Sequence, residues 1–114
     1  MKYMALIYFA PDASPEFGPL MAAYQAANER FAKDGVLVAG DALEAASTAT
    51  TVSVRDGRIE TLDGPFAESK EQLGGFYIFD CANLDEAIRY AAMIPTATYG
   101  RVEVRPIRNY ANKL

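Results

Sequence analysis

Asp63-Gly64-Pro65-Phe66-Ala67-Glu68-Ser69-Lys70-Glu71-Gln72-Leu73-Gly74-Gly75-Phe76 is the stretch on which the fold turns. Gly64 admits strained backbone angles, and Pro65 fixes φ and has no N–H to donate, so Asp-Gly-Pro breaks any helix or central strand. Charged residues follow, and Gly74-Gly75 then leads into the apolar run Phe76-Tyr77-Ile78-Phe79. A kinked polar loop therefore carries carboxylates to the mouth of a buried strand, which is a setting for a ligand. The glycine pair marks a bulge or a close backbone approach that opens space beside a sheet.

Outward from this loop the periodicities are legible. Lys2 to Phe9 reads as a strand, and Pro11, Pro15 and Pro19 punctuate the loop after it. From Leu20 the period becomes helical, with Leu20, Tyr24, Ala27 and Phe31 on one stripe and Met21 beside it. Gly35 ends this helix after Lys33, and Val36 to Ala39 is a short strand. Thr50 to Val54 and Arg58 to Leu62 form a hairpin closed through Asp56-Gly57. After the loop come a strand over Phe76 to Asp80 and a helix over about Asp85 to Met93, capped by Asn83 or Asp85. Its apolar face is Leu84, Ala87, Ile88, Ala91 and Ala92; Pro95 stops it, and Arg101 to Ile107 is the last strand.

The order β-α-β, hairpin, β-α-β predicts an α+β fold over residues 1–114, a ferredoxin-like unit with an inserted β-hairpin. Two helices cover one face of its sheet. Yet Tyr3, Ala5, Ile7 and Phe9 alternate with Met4, Leu6 and Tyr8, so the first strand is apolar on both faces, as is the strand around Phe76. A second copy of the same sheet is the economical cover, so a homodimer is expected.

At 114 residues, with 51% hydrophobic and 23% charged, the chain is an ordered domain with a real core. A net charge of −4 argues against direct nucleic-acid binding, which needs a basic face. The small basic group Arg101, Arg105, Arg108 and Lys113 reads first as solvated. No apolar stretch approaches the ~20 residues needed to cross a bilayer. Met1-Lys2 opens no signal-peptide pattern, so the cytoplasm is the expected location.

Histidine is absent, which removes Ser-His and Cys-His catalysis and the commonest neutral-pH base. One cysteine, Cys81, and no histidine leave no zinc set, and no phosphate-cradling glycine motif occurs; no cofactor is expected. The remaining candidates are carboxylates. Asp63 either locks its turn by hydrogen-bonding backbone N–H groups or acts in a site, and the two roles can coexist. Glu68 lies on the same loop, and two carboxylates in a partly desolvated mouth raise at least one pKa, allowing acid–base work without histidine. Lys70 sits at the rim. Arg101, Glu103 and Arg105 share one face of the last strand; either that face meets solvent at the rim, or Arg105 pairs with a carboxylate such as Glu103, Glu68 or a ligand's.

Taken together, Asp34-Gly35-Val36-Leu37-Val38-Ala39-Gly40, the Asp63-Gly64-Pro65-Phe66 loop, Gly74-Gly75 and Gly100-Arg101-Val102-Glu103-Val104-Arg105-Pro106 resemble the YCII-related family in its DGPF-type branch. The resemblance spans nearly the whole chain and implies a dimeric α+β barrel, in which two ferredoxin-like sheets face each other. Proteins of the namesake group keep a histidine on the first helix that pairs with an aspartate. Counting back from D-G-x-L-x-x-G, that position is Tyr24 here, a donor but a poor base at pH 7. Proton chemistry of the histidine branch therefore does not carry over unchanged.

The expected site joins Asp63, Glu68 and Tyr24 as chemical groups with Arg105, Lys70, Gly74, Gly75 and Tyr77 as ligand contacts. The leading expectation is a homodimer binding a small organic molecule in a cavity beside the sheet. One alternative is a histidine-free isomerase, lyase or dehalogenase acting on a small acid or lactone. Another, which the resemblance implies through the sigma factors that accompany the branch, is an accessory or sensing module.

Overall fold

The computed structural model describes residues 1–110. Its elements are β1 (Lys2–Phe9), α1 (Phe17–Lys33), β2 (Leu37–Ala42), β3 (Thr50–Arg55), β4 (Arg58–Asp63), β5 (Gln72–Asp80), α2 (Leu84–Ala92) and β6 (Arg101–Pro106), with single 3-10 turns at Pro11–Ala13, Ala46–Thr48 and Pro95–Thr98. Four strands form one sheet in the order β2-β5-β1-β6, each antiparallel to its neighbours, while β3 and β4 pair only with each other. This is the ferredoxin-like α+β arrangement with a hairpin inserted before β5. No helix among the described residues is long and apolar enough to cross a membrane.

Several element boundaries differ from those read in the sequence, most by a single residue. Helix α1 begins at Phe17, so Pro19 lies in its first turn rather than in the preceding loop. The first-turn N–H groups have no helical partner anyway, so proline is tolerated there. Strand β2 runs to Ala42 rather than Ala39. Strand β5 begins at Gln72, four residues early, because it continues through the glycine pair. Pairing passes from Ile7↔Gly75 to Tyr8↔Leu73, leaving Gly74 as the extra residue of a bulge. The last strand closes at Pro106.

Tyr3, Ala5 and Ile7 of β1 point to the helices and are buried with Tyr77 and Phe79 of β5, Ala27 and Phe31 of α1, and Ala87, Tyr90 and Ala91 of α2. Phe31 is fully buried, and its ring lies 4.9 Å from Phe79, 5.3 Å from Tyr77 and 6.0 Å from Tyr90. Truncating a phenylalanine packed in this way costs about 3–5 kcal/mol. Asn83 caps α2, its side-chain oxygen accepting from the Glu86 N–H at 3.0 Å. The buried face of α2 is turned from the one expected: Leu84, Ile88 and Ala92 are exposed, and Tyr90 faces inward. Tyr90 can do so because its hydroxyl donates to Asp34 Oδ2 at 2.9 Å, an oxygen that Arg30 also holds at 2.8 Å.

The other sheet face carries no helix. Met4, Leu6 and Tyr8 lie there, half-buried, with Phe76 and Ile78 beside them. Arg105, Glu103 and Arg101 stand opposite Met4, Leu6 and Tyr8, so their side chains share this open face. The hairpin β3–β4 projects from the body with Val52, Val54, Ile59 and Leu62 exposed. The chain is accordingly a slab of 48 × 44 × 18 Å with a radius of gyration of 16.2 Å. A compact chain of this length has a radius of gyration of about 13 Å.

Candidate functional site

Between α1 and the sheet, floored by β5 and closed at one end by the turn after Pro95, lies a cavity of about 540 Å³. The helical period brings Leu20, Tyr24 and Asn28 to its wall, each one turn from the next. The Gly74 bulge and Gly75 open the β5 side, and Tyr77 stands between them and the core. Gly40 on β2 is there because nothing larger fits. A Cβ at that position would lie 2.6 Å from Cδ1 of the Tyr77 ring.

Hydroxyls organise the polar part of the wall. Tyr24 and Thr96 are joined through Oη and Oγ1 at 2.5 Å, and the Thr96 hydroxyl also meets Tyr99 Oη at 3.2 Å. Thr96 is 2% exposed, the one buried polar residue among those described, so its hydroxyl depends on these partners. Across the cavity the Tyr77 hydroxyl donates to Asn28 Oδ1. Burial pushes the Tyr77 phenol up to about 12, with Tyr24 nearby adding to the effect and the Asn28 hydrogen bond opposing it. Burial likewise raises Tyr24, opposed by its hydrogen bond to Thr96. Both phenols stay protonated near pH 7. They can donate hydrogen bonds to a substrate oxygen, or to charge developing on one, but they do not abstract protons.

No charged side chain lines this cavity from the helix side of the sheet. Asp41 contributes to the wall, but it pairs with Phe76 while its neighbour Gly40 pairs with Tyr77, so its side chain belongs to the opposite face. The polar side chains of the wall are thus the three linked hydroxyls, the Tyr77 phenol, the Asn28 carboxamide and Ser14, set in an apolar surface that includes Ile7, Leu20 and Leu37.

Of the residues singled out in the sequence, Tyr24, Gly74, Gly75 and Tyr77 come together at this cavity. The others lie elsewhere. Lys70 borders a second, wide depression of about 730 Å³ with Tyr8, Glu71, Arg101 and Glu103. Arg101 there pairs with Glu71 at 3.2 Å. Arg105 pairs with Glu103 at 3.8 Å on the open sheet face, away from Tyr24. Asp63 and Glu68 are exposed and border neither space. Nor does the Asp63 side chain lock its turn: the residue two positions on is Pro65, which has no N–H. Instead the Gly64 N–H donates to the Ala49 carbonyl at 2.7 Å, and the Thr51 hydroxyl donates to the Gly64 carbonyl at 2.8 Å.

Of the basic group near the C-terminus, Arg108 lies over the Tyr110 ring at 5.7 Å, and Lys113 lies outside the described residues. Burial raises the Cys81 thiol, which borders no cavity described above.

Asn28, Gly40, Thr96 and Tyr99 are wall residues that the sequence did not single out. Asn28 was within reach, since it lies four positions after Tyr24 on one helix and therefore on the same face. Thr96 and Tyr99 carry no local signal, because they meet Tyr24 only across 72 and 75 positions of chain once α1 packs.

The family model described as a YCII-related domain matches residues 1–111. An uncharacterised protein of Rhizobium meliloti (strain 1021) is 40% identical over 87 residues, which are 75% of this chain and 70% of that protein.

Proposed function

The chain belongs to the YCII-related domain family, and from that premise we propose that it binds a small organic molecule in the cavity beneath α1. The observation that carries this reading is the Tyr24–Thr96–Tyr99 hydroxyl chain, anchored on a buried threonine and bordering an apolar space of about 540 Å³. Ligand sites are typically spaces of about 300–1,000 Å³, mostly apolar, with a few placed polar groups. The Asp63-Gly64-Pro65-Phe66 loop supports placing the chain in the DGPF-type branch. A thermal-shift screen of small acids, lactones and phenols tests the cavity. Stabilising compounds should lose part of their effect in Tyr24→Phe or in Asn28→Ala. Stabilisation that is indifferent to Tyr24→Phe and to Asn28→Ala, or a screen with no stabilising compound, would refute it.

We also propose that the open sheet face is covered by a second copy of the chain. The chain exposes 8268 Å². A compact monomer of 12.4 kDa exposes about 6,100 Å², so about 2,000 Å² per copy is surplus. That surplus, shared between the face bearing Leu6 and Phe76 and the projecting hairpin, is the scale of an obligate dimer interface. Sedimentation at micromolar concentration should give twice 12.4 kDa, and a stable monomer would overturn the dimer.

A further inference from the structure

The linked hydroxyls beneath α1 carry one proton more than their own hydrogen bonds use. Tyr24, Thr96 and Tyr99 bring three O–H protons to two hydrogen bonds. Whichever way those bonds are oriented, one proton is left over. Among the described residues these hydroxyls have no further side-chain partner that would take it. One turn along α1 from Tyr24, Asn28 Oδ1 accepts from Tyr77, which leaves the Asn28 amide hydrogens free to donate as well. The cavity therefore offers surplus donors at two points, and a ligand that satisfies them brings acceptors.

Charge restricts the acceptor. A carboxylate entering the space would leave water without meeting a cation: Arg101 and Arg105 stand on the other face of the sheet and are paired with Glu71 and Glu103. An unpaired ion is far more costly to desolvate than a neutral carbonyl. The net charge of −4 adds a repulsive field for anions. An ammonium fares no better, because no carboxylate side chain faces the space.

We propose that this cavity selects an uncharged carbonyl compound with an apolar or aromatic body, such as a ketone, ester, lactone or amide, over a carboxylate or an amine of the same shape. The proposal rests on the cavity being the ligand site and adds the class of molecule it takes. Acetophenone, benzoate and benzylamine share one ring and differ in charge, so they serve as probes. Their affinities are read at pH 7 by NMR titration of the full chain, following resonances of Tyr24, Asn28 and Gly40.

Acetophenone should bind at least about tenfold more tightly than either ion. The double variant Tyr24→Phe/Tyr99→Phe removes both phenol donors and leaves only the buried Thr96 hydroxyl, so it should weaken binding about fivefold or more, whereas either single variant keeps one phenol donor and loses less. Benzoate or benzylamine binding at these resonances as tightly as acetophenone would overturn the ligand class and leave the site standing. An affinity unchanged in the double variant would overturn the assigned donors. If no probe moves these resonances while the chain remains folded, both the class and the site fall.

Discussion

Gly40→Ala puts a methyl group where the cavity wall has no room. The new Cβ would lie 2.6 Å from Tyr77 Cδ1 and 3.1 Å from the Phe76 carbonyl oxygen. Ordinary carbon–carbon contacts are about 3.5–4.0 Å, so the Tyr77 ring must retreat by roughly 1 Å. It is held on three sides, stacked on Phe79 at 5.5 Å, edge-on to Phe31 at 5.3 Å and hydrogen-bonded to Asn28. Overpacking of this kind costs about 1–3 kcal/mol. Alanine also stiffens the unfolded chain, which offsets about 0.4–1 kcal/mol. The net loss is about 0–2.6 kcal/mol, or up to roughly 12 °C in Tm for a domain of this size. Thermal and urea denaturation followed by circular dichroism measure it, with Gly18→Ala as the comparison, since a Cβ there meets nothing within 4 Å. If Gly40→Ala is as stable as Gly18→Ala, the close approach of β2 to Tyr77 is wrong, and with it the shape of the cavity wall.

Gly64 has φ +96°, and a Cβ there meets nothing, so Gly64→Val should lose about 1–3 kcal/mol through backbone strain alone; an unchanged Tm would reject the turn. Thr96→Val keeps the shape of a buried side chain and removes two hydrogen bonds, so it should cost about 1–3 kcal/mol; wild-type stability would show that the hydroxyl chain does not form. Stability should also fall at high pH. Tyr77 is raised to about 12, and Tyr24 and Tyr90 are raised too, the last chiefly by its hydrogen bond to Asp34. Unfolded tyrosines titrate near 10, so the stabilisation from Tyr77 is complete below about pH 10 and lost as pH rises through about 12. Tyrosinate absorbance should show a late-titrating fraction in the folded chain, and a single transition near pH 10 would contradict this.

Local chemistry made most of the architecture legible. The proline- and glycine-marked turns, the alternation in β1 and the α1 stripe through Ala27 and Phe31 are all determined by neighbours in sequence. The starts of α1 and β5 were not, because Pro19 and the Gly74–Gly75 pair look like breaks yet serve as a first-turn residue and a bulge. The buried face of α2 was missed for a different reason: Tyr90 turns inward only because Asp34, 56 positions away, accepts its hydroxyl proton. At the site, Tyr24, Gly74, Gly75 and Tyr77 were recoverable from helix period, bulge chemistry and the apolar strand. Their partners Thr96 and Tyr99 lie in and just after a proline-led turn, and only packing brings them to Tyr24. The carboxylates and cations drew attention through charge, but the sheet separates Arg105 from Tyr24 and sends it to the open face.

A crystallographic fragment screen of this chain tests the central claim most directly. The account predicts that neutral carbonyl fragments occupy the space bounded by Tyr24, Tyr77 and Thr96, with an acceptor oxygen within hydrogen-bond distance of a Tyr24, Thr96 or Tyr99 hydroxyl. Fragments gathered instead beside Lys70 and Arg101, with the space beneath α1 empty throughout, would contradict it.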